Sequence, residues 1–483
     1  MDSFELFKGV DYVEINGTLP SEILDITNNS KEMTKGSLFI CEDGHNTSGK
    51  NYVSEAERKG CSIIVSCEKL QTSVCNVVVS DVKAATAKLA KNFYGNPQED
   101  MRIIGVVGTN GKTSVSHILS AILKERGYEV GVIGTIGTYY KGEKIESNLT
   151  TPDCLSLYKT IYRMASLGID ALVMEISAHA ISQRRTEGLY FHSLIFTNCT
   201  EDHLDYFENM QRYAQVKKSI FCSDNCRYMV VNSDDELGRD IINSNSKGVI
   251  SYGIENPADV FAINVNENKN GISYVINLFD VIYDINCKLL GKVNVYNTLA
   301  ACACSATLGA NIYDMANALK KMTFVEGRGE LVATVRGATV IVDYAHTPDG
   351  LLKTLSSLKK ICKGKLYCLF GCGGNREKEK RAKMGEISGK LADFTILTSD
   401  NPRFEDECEI IRQIERGVKR VTLKYITVKD RKTAICYALD RLSGEDVLLI
   451  AGKGAERYQE ILGERRYFSD KDEVMRYQSK TEA

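Results

Sequence analysis

The sequence lacks an excess of positive charge. Its 483 residues include 61 Lys and Arg against 63 Asp and Glu, for a formal net charge of −2. Proteins that follow a nucleic-acid backbone or an anionic membrane surface need many more basic than acidic side chains. The composition therefore predicts no nucleic-acid partner, and anionic ligands must be bound by local groups of residues.

Long apolar runs are missing as well. No run approaches the ~18 consecutive apolar residues of a membrane-spanning helix. The N-terminal stretch MDSFELFKGVDYVEI carries acidic residues where a signal peptide carries basic ones. From these absences we expect no membrane insertion and a cytoplasmic location.

The sixteen cysteines show no paired spacing. Cys222 and Cys226 stand close together, but no second pair of Cys or His completes a zinc site. Most of the others, such as Cys368, lie within apolar runs, which predicts small core residues that stay reduced.

The sequence contains no internal repeat and no low-complexity tract. Its length suits about three domains of ~100 to 200 residues each. Boundaries near YGNPQED and before EGRGE predict an N-terminal domain over 1–98, a central domain over 99–325 and a C-terminal domain over 326–483.

Short apolar, β-branched runs recur along the chain, and from residue 101 onward helix-like stretches separate most of them. This alternation is typical of α/β folds with parallel sheets. The segment 260–289 differs, because three strand-like runs follow one another directly and predict an antiparallel meander. The predicted strands are 62–66, 76–79, 103–107, 130–136, 171–176, 193–197, 228–231, 339–343, 366–370, 394–398 and 446–451.

A candidate phosphate loop follows the strand-like MRIIGVV: the segment GTNGKT at 108–113, which leads into a helical pattern. A glycine turn between a strand and a helix N-terminus forms a cradle for anions. Lys112 adds positive charge towards the phosphates, and the Thr113 hydroxyl can bind Mg²⁺. Val106 stands where the standard P-loop has its first glycine. An ordinary strand-to-helix turn gives no reason for Lys and Thr at these positions, so we interpret the loop as a nucleotide site.

Further motifs follow the phosphate loop in a fixed order, and together they cover essentially the whole chain. In this order they resemble the Mur ligase superfamily, and within it the UDP-N-acetylmuramoyl tripeptide synthetases. The resemblance implies three domains, with a P-loop-type central parallel sheet and a Rossmann-like C-terminal domain. The motifs are TTP at 150–152, MEISAH at 174–179, TN at 197–198, DHLDY at 202–206, Asn294, Asn297, GR at 327–328, DYAHTP at 343–348, GCGG at 371–374, DNPR at 400–403 and GKG at 452–454.

The resemblance implies an ATP-dependent ligase that uses Mg²⁺ in peptidoglycan precursor synthesis. A phosphoryl group from ATP would activate the D-glutamate side chain of UDP-N-acetylmuramoyl-L-Ala-D-Glu, and a diamino acid would then attack the acyl phosphate. The tasks left to the protein are positioning and neutralisation of charge. The partners are thus small molecules, and a monomer is expected.

Four side chains are the predicted catalytic group: Lys112, Glu175, His203 and Lys217. Glu175 ends a strand, where an unpaired buried carboxylate would be costly, so we expect it to hold Mg²⁺ beside Thr113. The resemblance implies a second Mg²⁺ contact for His203 and a CO₂-derived carbamate on Lys217, which would make that side chain an anionic ligand. Lys218 competes for this assignment.

Matching positions assign the two larger substrates, and three residues next to them depart from the family pattern. Asn29 and Lys31 replace the usual Asp and Arg around Ser30, and Ala178 replaces a serine. The predicted ATP residues are Gly108, Thr109, Asn110, Gly111, Lys112, Thr113, Ser114, Asn297, Arg328 and Asp343. The predicted residues for the UDP-linked dipeptide are Ser30, Thr150, Thr151, Ser177, Gln183 and Arg185.

The added amino acid is predicted from the DNPR segment, which in the family accompanies meso-diaminopimelate. Arg403 can bind the distal carboxylate with both arms of its guanidinium, and Glu456 can bind the distal ammonium. L-Lysine lacks that carboxylate and would leave Arg403 unpaired, so we prefer diaminopimelate. Ala455 and Asn375 depart from the usual His and Asp. The predicted amino-acid residues are Arg376, Asp400, Asn401, Arg403, Gly452 and Glu456.

Two alternative functions remain. A folylpolyglutamate synthase shares the ATP core and the ligase chemistry, but lacks the N-terminal uridine domain and the DNPR segment. A non-catalytic P-loop ATPase would not need the whole set of predicted catalytic residues.

Overall fold

The computed structural model describes residues 1–43, 48–147 and 149–481. The segment KGSLFICEDGHNTSG at 35–49 resembles the uridine-nucleotide-binding domain of the family, and its residues 44–47 lie outside the described residues. The chain forms two compact units. Unit 1 consists of Met1–Ile104, Tyr128–His192 and Asp224–Cys226, and unit 2 consists of Gly105–Gly127, Ser193–Ser223 and Arg227–Ala483.

Strands and helices alternate along most of the chain. The strands are β1 (Tyr12–Asn16), β2 (Asp25–Thr27), β3 (Ser37–Ile40), β4 (Ile63–Ser66), β5 (Cys75–Val79), β6 (Arg102–Val107), β7 (Val130–Gly134), β8 (Gly137–Tyr140), β9 (Glu143–Ile145), β10 (Ala171–Ile176), β11 (Phe191–Phe196), β12 (Cys226–Asn232), β13 (Val249–Gly253), β14 (Val260–Asn268), β15 (Gly271–Leu278), β16 (Val281–Cys287), β17 (Glu330–Val335), β18 (Ala338–Asp343), β19 (Leu366–Phe370), β20 (Phe394–Leu397), β21 (Tyr425–Thr427), β22 (Val447–Ala451), β23 (Tyr458–Ile461) and β24 (Glu464–Tyr467).

The helices, many of them capped at the N-terminus by an Asp, Asn, Ser or Thr side chain, connect these strands. They are α1 (Ser3–Leu6), α2 (Val53–Arg58), α3 (Val82–Phe93), α4 (Lys112–Glu125), α5 (Cys154–Ser166), α6 (Ala178–Ser182), α7 (Leu204–Phe207), α8 (Met210–Lys218), α9 (Glu236–Ser244), α10 (Val293–Ala306), α11 (Ile312–Lys321), α12 (Pro348–Ile361), α13 (Glu379–Leu391), α14 (Glu407–Lys419), α15 (Arg431–Arg441) and α16 (Asp470–Thr481). Short 3₁₀ helices cover Ser30–Glu32, Gly49–Tyr52 and Pro97–Asp100.

Unit 1 contains a five-stranded sheet in the order β1-β5-β4-β3-β2. Its strands are parallel except β1, which runs antiparallel to β5. Four further strands of this unit follow in the order β10-β7-β8-β9, with β10 parallel to β7. Every residue of β3, β4, β5, β7 and β10 is buried, as expected for parallel strands covered on both faces.

Unit 2 contains the meander that the sequence predicted. Strands β14, β15 and β16 pair antiparallel, while β12, β13 and β14 pair in parallel. Helix α10 is buried along most of its length, because its side chains include four Ala and two Cys residues, which permit close packing.

The C-terminal part of unit 2 is built on a six-stranded sheet in the order β17-β18-β22-β19-β20-β21. The sheet is parallel apart from β17, and a buried apolar cluster covers each face. The carboxyl ends of β19, β20 and β22 lead into GCGG, DNPR and GKG. Parallel strands end at one edge, so these three motifs share that edge.

All eleven predicted strands overlap observed ones, and the predicted α/β class is confirmed. The sequence pattern did not predict strands with little apolar signal, such as β9 and β24, in which every residue is exposed. Among the described residues, none of the helices is both long and apolar enough to cross a membrane.

Candidate active site

The phosphate loop joins the end of β6 to the beginning of α4. Gly108 and Gly111 have φ angles of 156° and 87°, which disfavour residues with a side chain. A Cβ atom at Gly108 would collide with the Thr197 hydroxyl, and one at Gly111 would lie 2.6 Å from Asn297 Oδ1. Both positions therefore require glycine, and the backbone stays accessible to an anion.

Two basic side chains reach this loop. Lys112 Nζ donates to the carbonyls of Gly108 and Thr109 at 2.8 and 2.9 Å. Arg328 Nη2 donates to Thr113 Oγ1 at 2.8 Å, and its guanidinium lies 4.1 Å from the centroid of the Tyr344 ring. The structure thus brings Arg328 of the C-terminal part to the phosphate loop.

The remaining predicted ATP residues of unit 2 are largely buried. Asn297 donates to Asn294 Oδ1 at 2.9 Å and lies against the glycine turn of the loop. Asp343 accepts from the backbone N–H groups of Gly329 and Ala345 at 2.6 and 2.8 Å. Burial raises the pKa of Asp343. Asn110 donates to Asp349 Oδ2 at 3.0 Å, and Ser114 is buried in the first turn of α4.

Lys217 is fully buried near the end of α8. Its Nζ donates to Thr109 Oγ1 at 2.6 Å and lies 3.9 Å from the centroid of the Tyr213 ring. Burial lowers the pKa of Lys217 to about 7. The neighbouring Lys218 is instead partly exposed and pairs with Asp240 at 3.0 Å. Only an uncharged amine can attack CO₂, so the structure favours Lys217 over Lys218 for the predicted carbamate.

His203 precedes α7 with a left-handed φ of 56°, and its Nε2 lies 3.4 Å from Asp202 Oδ2. Burial opposes ionisation of Asp202, but the nearby charges of His203, Lys380 and Lys112 lower its pKa. Burial lowers the pKa of His346 to about 4, so this imidazole is neutral near pH 7. We predicted no site role for Asp202 or His346 from the sequence, where only their places within DHLDY and DYAHTP marked them.

The surroundings of the Glu175 carboxylate differ from our expectation. We expected its carboxylate to lie unpaired, but Oε1 accepts from the Thr135 backbone N–H at 2.9 Å and Oε2 accepts from the Thr135 hydroxyl at 3.0 Å. The Thr135 hydroxyl also lies 3.1 Å from that of Thr150. Hydrogen bonds from the loop after β7 thus compensate the burial of this charge. Sequence spacing gave no signal for Thr135.

The predicted UDP-dipeptide residues of unit 1 form one network, apart from Ser30. Thr151 Oγ1 donates to the Glu175 carbonyl at 2.9 Å and accepts from the Ser177 N–H at 3.1 Å. Arg185 Nη1 donates to the Thr151 carbonyl at 2.7 Å, and Arg185 Nη2 donates to Gln183 Oε1 at 2.7 Å.

Two of these positions have local structural roles as well. The Ser177 hydroxyl caps α6 by accepting from the Ala180 N–H at 3.1 Å. The Ser30 hydroxyl donates to Glu55 Oε2 at 2.7 Å, and the neighbouring Asn29 caps a 3₁₀ helix.

A buried polar cluster lies at the carboxyl edge of the C-terminal sheet. Lys453 Nζ donates to Asn401 Oδ1 and to Glu456 Oε2, both at 3.0 Å. Asn401 Nδ2 donates to Glu456 Oε2 at 2.9 Å. Asp400 is buried nearby, and Lys453, Arg431 and Arg403 lower its pKa against the effect of burial. A Cβ atom at Gly452 would lie 2.8 Å from Asp400 Oδ2. We had not predicted from the sequence that Lys453 is part of this cluster.

The partners of the Arg403 guanidinium also differ from our expectation. We argued that only a distal carboxylate would satisfy it, but its Nη1 donates to the Gly374 carbonyl at 2.7 Å and its Nε lies 3.6 Å from Glu460 Oε2. Its φ of 52° is left-handed. The guanidinium is therefore held at this edge by the protein itself. Arg376 is exposed in the loop after β19.

The predicted metal ligands are Thr113, Glu175, His203 and Lys217. Within the described ranges, no three His, Cys, Asp or Glu side chains are grouped so that they could hold a metal ion by themselves. A carbamate on Lys217 would add oxygen donors of the kind that Mg²⁺ prefers.

Comparisons with known proteins cover nearly the whole chain. Residues 22–94 match the model "Mur ligase family, catalytic domain", 106–305 match "Mur ligase middle domain" and 327–454 match "Mur ligase, glutamate ligase domain". A UDP-N-acetylmuramoyl-L-alanyl-D-glutamate–2,6-diaminopimelate ligase from Caldanaerobacter subterraneus subsp. tengcongensis is 39% identical over 98% of both chains. A protein of that name from Clostridium acetobutylicum is 38% identical over 96% of both chains. A solved structure of a ligase of the same name superimposes with a TM-score of 0.72 at 26% identity, covering 100% of this chain and 99% of the other.

Proposed function

Since the chain belongs to the Mur ligase family and has its three-domain α/β architecture, we propose that it is an ATP-dependent ligase. Its reaction joins 2,6-diaminopimelate to the D-glutamate side chain of UDP-N-acetylmuramoyl-L-alanyl-D-glutamate. The observation that carries the ATP-dependent step is the phosphate loop with Arg328 on Thr113 and Lys217 on Thr109. These contacts join a phosphate cradle to a buried amine with a pKa of about 7.

The chemistry divides between ligands and protein. Bound ATP would supply the phosphoryl group that makes the D-glutamate carboxylate a good acyl donor, leaving ADP, and Mg²⁺ would neutralise charge on the phosphates. Lys112 and the N–H groups at the start of α4 bind the phosphates and neutralise their charge. Arg328 leaves the Thr113 hydroxyl and turns to the terminal phosphate. Glu175 would bind a Mg²⁺ ion, His203 would contact a second one, and a carbamate on Lys217 would supply a further anionic oxygen ligand.

The polar cluster at the carboxyl edge selects the amino acid. Arg403 exchanges its contact with Glu460 for the distal carboxylate of diaminopimelate, and this exchange offsets the desolvation of both charges. Lys453 holds Glu456 in place, and the second oxygen of Glu456 can accept from the distal ammonium. With L-lysine bound, Arg403 would keep its contact with Glu460. Arg403 thus contributes specificity because it forms an additional bond only to the distal carboxylate of diaminopimelate.

The proposal also covers organisation and location. We propose domains over 1–98, 99–325 and 326–483, a monomeric state and action in the cytoplasm. Limited proteolysis with mass analysis of the fragments would locate the linkers, and light scattering would give the mass of the particle in solution.

A phosphate-release screen tests the activity. The protein is incubated with ATP, Mg²⁺ and UDP-N-acetylmuramoyl-L-Ala-D-Glu, and each of meso-diaminopimelate, L-lysine and D-lysine is added separately. We expect fast release of phosphate only when ATP, dipeptide precursor and diaminopimelate are all present, together with a product whose mass has grown by one diaminopimelate residue. Phosphate release that does not depend on the precursor would indicate the alternative P-loop ATPase. Phosphate release with a folate substrate in place of the precursor would indicate a folylpolyglutamate synthase.

A further inference from the structure

A fully buried ion pair lies behind the amino-acid cluster. Arg431 begins α15, Asp470 begins α16, and both side chains have no solvent exposure. Arg431 Nε and Nη2 donate to the two carboxylate oxygens of Asp470, each at 2.7 Å. This two-armed geometry holds the plane of the guanidinium in one orientation.

The same guanidinium bonds to the ends of two strands. Arg431 Nη2 donates to the carbonyl of Ala451 at 3.0 Å, and Nη1 donates to the carbonyl of Ser399 at 3.3 Å. Ala451 ends β22 and directly precedes Gly452, while Ser399 directly precedes Asp400. One side chain therefore holds the backbone where both amino-acid segments begin.

The sheet itself does not hold these two segments against each other. Strand β19 lies between β20 and β22 in the sheet order, so β20 and β22 share no ladder of hydrogen bonds. The pairing of β19 with β20 ends at Phe370 and Leu397, before Ser399 is reached. Yet Asp400 Oδ2 lies so close to Gly452 that only glycine fits there. The spacing between the segments must come from contacts beyond the strands.

We propose that Arg431, oriented by Asp470, is a positioning residue that sets the spacing between the segments 400–403 and 452–456, and so the fit of the amino-acid substrate. This inference rests on the proposed function. A buried ion pair is on average no more stabilising than apolar residues of the same size. The two carbonyl bonds are what apolar residues could not replace.

The test uses variants that separate positioning from stability. Arg431→Met leaves the Asp470 carboxylate buried without its partner, so the single variant can unfold for this reason alone. The double variant Arg431→Met/Asp470→Leu removes both charges and keeps apolar contact between α15 and α16. Glu473→Gln is the matched control: Glu473 is buried and lies 3.7 Å from the neighbouring Lys432, across the same two helices, without a bond to either strand end.

We measure kcat, the KM values for diaminopimelate and ATP, and the melting temperature. For the folded double variant we expect KM for diaminopimelate to rise on the order of tenfold or more, because small misplacements of binding groups are costly. KM for ATP should stay within about twofold. Arg431→Lys keeps the charge but loses the two-armed geometry, so its KM for diaminopimelate should lie between those of the wild type and the double variant. Glu473→Gln should keep both KM values.

Three outcomes would overturn the inference. An unchanged KM for diaminopimelate in the folded double variant would show that the carbonyl bonds do not position the pocket. A parallel rise of both KM values would indicate general damage to unit 2. A wild type that releases no phosphate with any amino acid would overturn the proposed function and this inference with it.

Discussion

Two fully buried lysines, Lys217 and Lys453, show how differently the two reaction regions use the same residue. Lys217, beside the phosphate loop, contacts the Thr109 hydroxyl and the face of Tyr213, and burial lowers its pKa to about 7. Lys453, in the amino-acid cluster, contacts the Glu456 carboxylate at 3.0 Å. Burial alone therefore does not decide what a lysine does.

The difference lies in the partner that each amine meets. A hydroxyl and an aromatic ring stabilise an ammonium less than a carboxylate does, so desolvation dominates at Lys217 and favours the neutral amine. A neutral amine can be modified covalently. Lys453 instead forms an ion pair with the Glu456 carboxylate, and its donors hold Asn401 and Glu456 in place.

The largest expected effect concerns the phosphate loop. Lys112→Ala should lower kcat/KM by about 10³-fold, because the variant loses a positive charge aimed at the phosphates. Initial rates of phosphate release over a range of ATP concentrations measure this loss. Lys124→Ala, an exposed position on the same helix α4, is the control and should keep wild-type turnover. Wild-type turnover of folded Lys112→Ala would refute the nucleotide assignment.

The second prediction tests whether Lys217 acts as a carbamate. Lys217→Ala should lose about 10²-fold or more in kcat and should recover part of it when short carboxylic acids are added, since they can replace the missing anion. Lys218→Ala should keep full activity without rescue. Intact-mass analysis under bicarbonate should find the added CO₂ on the wild type only. An active Lys217→Ala protein, with no carbamate on the wild type, would return this residue to a structural role.

The third prediction moves to the amino-acid cluster. Arg403→Ala should lower kcat/KM for diaminopimelate by about 10²-fold, and far less for L-lysine, because only diaminopimelate presents a distal carboxylate. KM for ATP should not change. Arg465→Ala, whose side chain also lies near Glu460, is the control. Equal losses for both amino acids would mean that Arg403 organises the pocket generally, and a wild type that uses L-lysine equally well would contradict the specificity.

The smallest effect is on stability, and it separates the two lysines by pH. The native pKa of Lys217 is about 7 and its ordinary value is 10.5. Between pH 7 and pH 10.5 the unfolded chain binds a proton at this residue that the native protein does not bind. This group therefore makes wild-type stability rise with pH, and the full cost of burying its charge applies below pH 7. Lys217→Met removes this cost, and the loss of the hydrogen bond to Thr109 offsets part of the gain in stability.

We therefore expect Lys217→Met to be more stable than the wild type at pH 6 by about 2 kcal/mol, with a gap that narrows towards pH 9. Lys453→Met should instead be destabilised by about 1 to 3 kcal/mol at both pH values, because it leaves Glu456 without its cation. Urea unfolding in CO₂-free buffer measures both. The same pH trend in the two variants would contradict the contrast between the lysines.

Sequence reasoning identified the α/β class, the meander over 260–289 and the predicted strands, because these depend on local apolar patterns. It missed Thr135, which bonds to Glu175, and Lys453, which bonds to Asn401. Nothing in the spacing of these residues announces a partner that lies far along the chain. The two wrong premises, an unpaired Glu175 and an otherwise unsatisfied Arg403, have the same origin.

By itself the sequence determined the glycine turn, the order of the family motifs and the strands that carry them, since each depends on neighbouring residues. Only the tertiary structure separates Lys217 from Lys218, which are adjacent in sequence and on one helix. One faces the interior and the other faces Asp240 and solvent. The charge state of a side chain follows from solvent access and from partners brought together by folding, and neither is a property of the local sequence.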